Sequence, residues 1–488
     1  VLKHSILSCE NPPRQAGVLL HLTSLPGGQT SCLGREAYHF VDFLAAAGFG
    51  IWQVLPINPV GMDRSPYQTT SAFAGNPEMI DLNLLRQCNW LVETEDPARK
   101  CDAIWHAWQG FCRHASDAER QAFADFIECQ AYWLDDYALF AALHDEQQAP
   151  WWQWPKAIRD RTSSGLGRAR ARLADRMTCL RFEQFIFFRQ WGQLRTYANQ
   201  RGIALFGDIP IFVAQDSAEV WSRPHLFELD DQGMPTLVAG VPPDYFSTTG
   251  QRWGNPLYRW DAMHADDYAF WEQRIKTQME LFDLIRIDHF RGFEAYWAIP
   301  ASEPNAIRGS WLKGPGLQLF RSLEKKLGHL PLVAEDLGVI TDEVKALKQQ
   351  LKMPGMKILQ FAFSGTTDNP YLPYNHERCS VVYTGTHDND TTLGWYQGLD
   401  NNSRRQVDDY LCFCSEAMPW PLIRQALASR SQIAILPMQD ILELDSSHRM
   451  NTPGTTSGNW CWSFDWSQVP AGLSTRLRRL LQLYGRIN

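Results

Sequence analysis

Leu281-Phe282-Asp283-Leu284-Ile285-Arg286-Ile287-Asp288-His289-Phe290-Arg291-Gly292-Phe293 opens as an apolar run of strand length, rich in β-branched residues, and then turns abruptly charged. Side chains on a strand alternate faces, so Arg286 and Asp288 share one side while Ile285 and Ile287 share the other. A cation and a carboxylate thus point together off the end of a strand whose opposite face is greasy. Alone, such a pair reads equally well as a structural ion pair. What surrounds it in the chain decides between the two readings.

Working outward, eight short apolar runs read as strands: Gly17–Leu22, Gly50–Leu55, Ile203–Gly207, Leu281–Ile287, Leu330–Ala334, Met356–Phe361, Ser380–Thr384 and Gln432–Met438. Helical patterns separate most of them. Glu36–Ala47 ends at Gly48, which suits a left-handed cap, and Thr341 can cap a helix over Val344–Leu351. Asp266–Leu281, Gly316–Leu327, Ser403–Cys412 and Pro421–Ala428 also have helical spacing. Strand–helix alternation over eight units predicts an α/β fold, a closed parallel (β/α)8 barrel. The expected organisation is a single catalytic barrel domain over 1–488 with two insertions over its C-terminal face. A mainly helical one spans 57–202 between the second and third strands, with a capping box at Ser116–Glu119 and an aromatic helix over Leu180–Tyr197. The other, loop and helix over 209–280, contains a Pro-, Gly- and aromatic-rich stretch from Ala239 to Pro256 that reads as a long ordered loop. The tail Pro470–Tyr484 reads as a basic amphipathic helix that packs.

Composition narrows the partners. A net charge of −8 offers no basic footprint for nucleic acid or an anionic membrane, and the most apolar window, Val41 to Val60, is broken by Asp42, Gln53, Pro56 and Pro59. Eleven cysteines without repeated spacing predict reduced, mostly buried thiols; Cys412-Phe413-Cys414 is too tight for a zinc knuckle or a C-x-x-C pair. The apolar piece between His4 and Glu10 is too short for a signal peptide, and because the chain starts at Val1 a removed leader stays open. Twenty tryptophans are the outlier: most belong in cores, but Trp and Tyr beside polar groups also make platforms for sugar rings.

Barrel enzymes take catalytic residues from the C-terminal ends of several strands. Here those ends carry Asp208, Asp288, Glu335-Asp336, His387-Asp388 and Asp440. Acids converging from distant positions are costly to bury unless they have partners or chemistry to perform. A metal site using His289 or His387 is one reading, but no H-x-x-x-H, Cys/His cluster or EF-hand pattern accompanies it. Glycosidic chemistry is the other: one carboxylate attacks the anomeric carbon, and a protonated partner releases the leaving oxygen. An arginine beside the nucleophile keeps it ionised, whereas the acid needs a raised pKa.

Three segments carry a resemblance: Leu284–Trp297 around Asp288, Val333-Ala334-Glu335-Asp336-Leu337-Gly338-Val339-Ile340-Thr341, and Tyr383-Thr384-Gly385-Thr386-His387-Asp388-Asn389-Asp390-Thr391-Thr392. They closely resemble glycoside hydrolase family 77, the 4-α-glucanotransferases or amylomaltases of the α-amylase superfamily. The likeness runs from Leu19-Leu20-His21-Leu22-Thr23-Ser24-Leu25-Pro26-Gly27 to Ser457-Gly458-Asn459-Trp460. It implies Asp288 as nucleophile, Glu335 as general acid/base and Asp388 as the third carboxylate, which holds and distorts the reacting sugar. Arg286, His387 and Asp208 would bind that sugar. Ser65-Pro66-Tyr67-Gln68 resembles the segment whose tyrosine stacks at the cleavage point, and Gln251-Arg252-Trp253 the lid-like loop, with Trp253 on the acceptor side and the 242–250 loop beside it. Asn459 falls where the family contacts substrate. Two places depart from the pattern: Gly61-Met62-Asp63-Arg64, which bears on an accessory glucan contact, and Ser364-Gly365, which bears on acceptor binding.

The resemblance implies transfer of α-1,4-glucan segments to the 4-hydroxyl of glucose or another glucan, with retention. Expected partners are α-1,4-glucans, maltooligosaccharides and glucose, with no cofactor, metal, nucleic acid or membrane, in a monomer or weak homo-oligomer. A cytoplasmic site is expected, or a plastid stroma after removal of a transit peptide. The alternatives are an α-amylase-like hydrolase using the same carboxylates on water, and a non-catalytic glucan-binding protein.

Overall fold

The computed structural model describes residues 13–27, 32–61, 63–92, 99–243, 247–411 and 415–487. The segment His4–Glu10, the Cys412–Cys414 triplet, Met62 and residues 244–246 of the expected loop fall outside them. Among the described residues the strands are β1 (Gln15–Leu19), β2 (Ile51–Gln53), β3 (Ala204–Ile209), β4 (Leu237–Val241), β5 (Gln251–Pro256), β6 (Leu284–Ile287), β7 (Ala295–Pro300), β8 (Ser310–Lys313), β9 (Leu332–Ala334), β10 (Gly355–Ile358), β11 (Ser380–Tyr383) and β12 (Ile433–Pro437).

Eight of these close a barrel in the order β1-β12-β11-β10-β9-β6-β3-β2, every pair parallel. All eight runs expected as strands overlap its strands, with ends that differ by up to three residues. Two layers of apolar side chains explain why it closes. Leu284 faces a barrel interior with Phe206, Val333, Met356, Tyr383 and Ile435, while Ile285 and Ile287 face the larger core beneath the helices. Gly207 is required where β3 meets that outer layer, since a Cβ there would stand 2.2 Å from the Phe282 ring.

The helices follow local signals. Gly48 caps Arg35–Ala47 at φ 83°, and the Thr341 side chain accepts from Val344 N at the start of Asp342–Gln350. Between β2 and β3 the chain is predominantly helical, including the Ser116–Glu119 capping box and a long helix, Ala174–Gln200, that carries the aromatic run. The expected helix Asp266–Leu281 begins only at Ala269, because Asp267 and Tyr268 adopt positive φ, and a separate short helix, Trp260–Ala265, precedes it.

The Ala239–Pro256 stretch is a second departure. Instead of a loop it supplies β4 and β5, which join β7 and β8 in an antiparallel sheet ordered β5-β4-β7-β8. Its prolines and glycines mark strand ends and a register shift between Val238 and Gly240, so no clean alternation announces the strands. Leu281 likewise closes a helix and does not begin β6. No helix among the described residues is long and apolar enough to cross a membrane. No disulfide joins two of the described cysteines, but of these eight only Cys32 and Cys179 are buried, against the expectation of mostly buried thiols.

Candidate active site

The charged ends of β3, β6, β9 and β11 converge at one mouth of the barrel. Asp208 pairs in register with Arg286 across β3 and β6, and Ile287 pairs with Ala334 across β6 and β9. Asp288 and Glu335 therefore occupy equivalent positions, one residue past a paired couple on neighbouring strands.

Arg286 is the hub. Nη1 donates to both oxygens of Asp208, at 2.8 and 2.6 Å, and Nη2 meets Asp288 Oδ1 at 2.7 Å. Arg286 and Asp208 are almost wholly buried, whereas the Asp288 side chain is partly open to the cleft. The Tyr67 hydroxyl donates to Asp208 Oδ2 at 2.8 Å and lies 2.9 Å from His387 Nε2, its ring stacked on the imidazole. Buried beside Asp208, this phenol is pushed well up and keeps its proton.

Glu335 is held by backbone. His289 N donates to Oε2 at 2.7 Å and Leu337 N to Oε1 at 2.9 Å. His289 sits at φ 51°, an uncommon region for a non-glycine residue, and this turn directly after Asp288 brings its N–H onto Glu335. Burial first, and then the neighbouring charge of Asp288, push the Glu335 carboxyl up to about 7, against the pull of Arg286. Asp288 is also raised: Arg286 acts in the expected direction, but burial, reinforced by Asp208 and Asp388, outweighs it. The two carboxyls are nonetheless unlike. Arg286 bonds Asp288 directly, so a proton shared between the pair resides on Glu335.

Asp388 stands on the turn after β11. Asn389 Oδ1 accepts from both the backbone N and the hydroxyl of Thr386, at 2.9 and 2.8 Å, closing that turn and lifting His387 and Asp388 towards the cleft. Partial burial opposes ionisation of Asp388, but its neighbour His387, within hydrogen-bonding reach, and the Asn451 amide outweigh it, holding the carboxyl far below its ordinary range. His387 Nε2 is 3.4 Å from Oδ2, and Asn451 Nδ2 donates to Oδ1 at 2.7 Å.

The other strand-end acids serve the frame. Asp336 turns away to Lys348 Nζ and Met356 N, both at 2.7 Å. Asp440 accepts from the Thr384 hydroxyl and from Thr392 N and hydroxyl, pinning the segment that carries His387. The Ser65 hydroxyl accepts from Tyr67 N at 3.3 Å and shapes the turn beneath that ring. Trp253 donates to Gln251 Oε1 at 3.1 Å and sets its ring edge-on to His289, 4.9 Å between centroids. Asn459 binds within its own segment, accepting from Thr452 N at 2.9 Å and donating to Thr455. It is Asn451, eight positions earlier, that reaches a carboxylate, together with Arg449, which donates to the Asp388 carbonyl at 3.0 Å. Arg449-Met450-Asn451 lies in coil with no periodicity to single it out. Among the described residues no group of three or more His, Cys, Asp or Glu side chains is placed to hold a metal ion.

With one carboxylate on an arginine, a second carrying a proton and a third beside a histidine, the cleft can attack an electrophilic carbon on one face and protonate a leaving oxygen. The family model described as 4-alpha-glucanotransferase matches residues 20–468. A curated 4-alpha-glucanotransferase of Thermus thermophilus is 49% identical, covering 97% of this chain and 99% of its own. The chloroplastic/amyloplastic 4-alpha-glucanotransferase of Arabidopsis thaliana is 42% identical, covering 97% of this chain and 86% of its own. The solved amylomaltase of Streptococcus agalactiae, in complex with acarbose, superposes with a TM-score of 0.93 at 36% identity, covering 97% and 100% of the two chains.

Proposed function

The chain belongs to the 4-alpha-glucanotransferases of glycoside hydrolase family 77, and from that premise we propose how its own residues carry the transfer. Its activity is the transfer of α-1,4-glucan segments to the 4-hydroxyl of glucose or another glucan, by double displacement with retention. The observation that carries the residue assignment is the pairing of Asp288 and Glu335 at equivalent ends of adjacent strands, with Arg286 bonded to one of them alone. Strands in a sheet lie about 4.8 Å apart, which suits the 5–5.5 Å carboxyl spacing of retaining enzymes.

In the first step an Asp288 oxygen attacks the anomeric carbon while protonated Glu335 gives its proton to the glycosidic oxygen. The glycosidic bond breaks, the chain with a free 4-hydroxyl leaves, and a glucosyl ester forms on Asp288. In the second step Glu335, now a carboxylate, takes the proton of an acceptor 4-hydroxyl whose oxygen displaces Asp288. Asp388 and His387 hold the hydroxyls of the reacting sugar, Asp208 and Arg286 fix Asp288 beneath it, and Tyr67 offers its ring face. Trp253 with Gln251 covers the acceptor side, where bound sugar must outcompete water. Asn459 supports the segment that brings Asn451 to Asp388.

The substrates are α-1,4-glucans and maltooligosaccharides, with glucose as acceptor, handled by a monomer or weak homo-oligomer. Its place is the cytoplasm or, as for the chloroplastic/amyloplastic relative of Arabidopsis thaliana, a plastid. Incubation with maltotriose tests the transfer: glucose plus a ladder of longer chains is expected, and short products without a ladder would turn the reading towards hydrolysis.

A further inference from the structure

His21 takes no part in the two displacement steps, yet it lies just past β1, 6% exposed, and its Nδ1 is buried with no hydrogen-bond partner. A buried imidazole nitrogen left unpaired is costly, so such an atom calls for a partner from water or ligand. The ring lines a recess of about 20 Å³ that also reaches His387. Ser24, Thr386, Asn389 and Gln439 give the recess polar walls, and one water needs only about 10–15 Å³ of such space and two to four polar groups.

The other side of His387 fixes what this recess must supply. Tyr67 has a single hydroxyl proton, and it goes to Asp208, a carboxylate that can only accept. The Tyr67 oxygen must then accept from His387, so Nε2 carries the hydrogen that lies between Tyr67 and Asp388. In the neutral ring Nδ1 is consequently an acceptor, and no described protein group donates to it. Which nitrogen of an imidazole holds the proton is set by what the other one meets.

We propose that His21 and His387 share an ordered water in this recess, through which His21 holds His387 as the Nε2–H tautomer that faces Tyr67 and Asp388. His21 is thus a positioning residue for the sugar-holding side of the site. Its own charge state suits that role, since burial, and then the proximity of His387, lower it to about 3 and leave the ring a neutral donor and acceptor. The inference rests on the assignment of His387 and Asp388 to the reacting sugar.

The test combines ¹⁵N-histidine NMR at pH 8 with steady-state transfer from maltotriose, on wild type, His21→Phe and His21→Gln. Wild-type His387 should give the shift pair of an Nε2–H ring. His21→Phe should lower kcat about ten-fold, as His387 loses the water that holds its tautomer, with KM moved less than about two-fold and His387 shifted towards a tautomer mixture. His21→Gln, whose amide can hold the same water, should recover most of both. An Nδ1–H ring in wild type, unchanged kcat in His21→Phe, or a folded His21→Gln as impaired as His21→Phe would each overturn the proposal. Should His21→Phe not fold, the wild-type spectrum decides. A wild type that makes no ladder from maltotriose would instead refute the transferase reading and leave the tautomer measurement intact.

Discussion

Moving the pH upward through 7 should shut off attack on the donor. The first step needs Glu335 protonated and Asp288 ionised, and burial together with the charge of Asp288 has brought Glu335 to about 7. A group at that value keeps about half its protons at pH 7, about a tenth at pH 8 and about a hundredth at pH 9. The second-order constant kcat/KM for maltotriose, which reports the free enzyme, should therefore fall about ten-fold per unit above 7. On the acid side it should fall again as Asp288 gains a proton, in a limb that burial has moved up from that of an ordinary aspartate. The two limbs belong to the coupled pair and not to either residue alone. Initial rates of glucose release between pH 4 and 9, in buffers of constant ionic strength, give the profile. A kcat/KM that stays level to pH 9 in a folded enzyme would refute the assignment of Glu335 as the acid.

Asn451→Ala removes the 2.7 Å hydrogen bond to Asp388; because that side chain is half-exposed and water can replace the amide, the loss should be about 1 kcal/mol. That corresponds to roughly five-fold in kcat/KM, and wild-type kinetics would show that Asn451 does not hold the third carboxylate. Asp208→Asn leaves Arg286 buried without its main charge partner and should cost about 3–5 kcal/mol in urea unfolding, with a small effect arguing against a tight ion pair. Glu183, buried on the helix Ala174–Gln200, has its carboxyl raised from 4.5 to about 7, chiefly by burial. The folded chain then keeps a proton that the unfolded chain releases, so its stability contribution is present below pH 4.5 and is lost as pH rises to 7. Glu183→Gln should abolish that fall and gain about 3 kcal/mol at pH 8, none at pH 4, by urea unfolding at the two values.

The barrel was legible because its strands are buried on both faces and its helices carry ordinary caps: Gly48 and Thr341 end and start helices where their chemistry requires it. The convergence of Asp208, Asp288, Glu335 and His387-Asp388 followed from strand ends alone, since a parallel barrel places all such ends at one mouth. What eluded the sequence depends on long-range pairing. The antiparallel sheet β5-β4-β7-β8 is built from short, Pro- and Gly-marked strands, in which consecutive pairs β4–β5 and β7–β8 are joined by the distant β4–β7 pairing, so no local period reveals it. Asp336 and Asp440 look like their catalytic neighbours in sequence. Only the partners Lys348 and Thr392, supplied by other segments, turn them into struts. Asn451 gives no signal at all, because its role lies in where a coil segment returns to the cleft.

Among all these tests, trapping addresses the central claim most directly. A slow 5-fluoroglycosyl donor, followed by peptic digestion and mass spectrometry, should place a glucosyl label on the peptide spanning Leu284–Phe293, at Asp288. A label on Glu335 or Asp388, or stoichiometric turnover with no covalent adduct, would contradict the account.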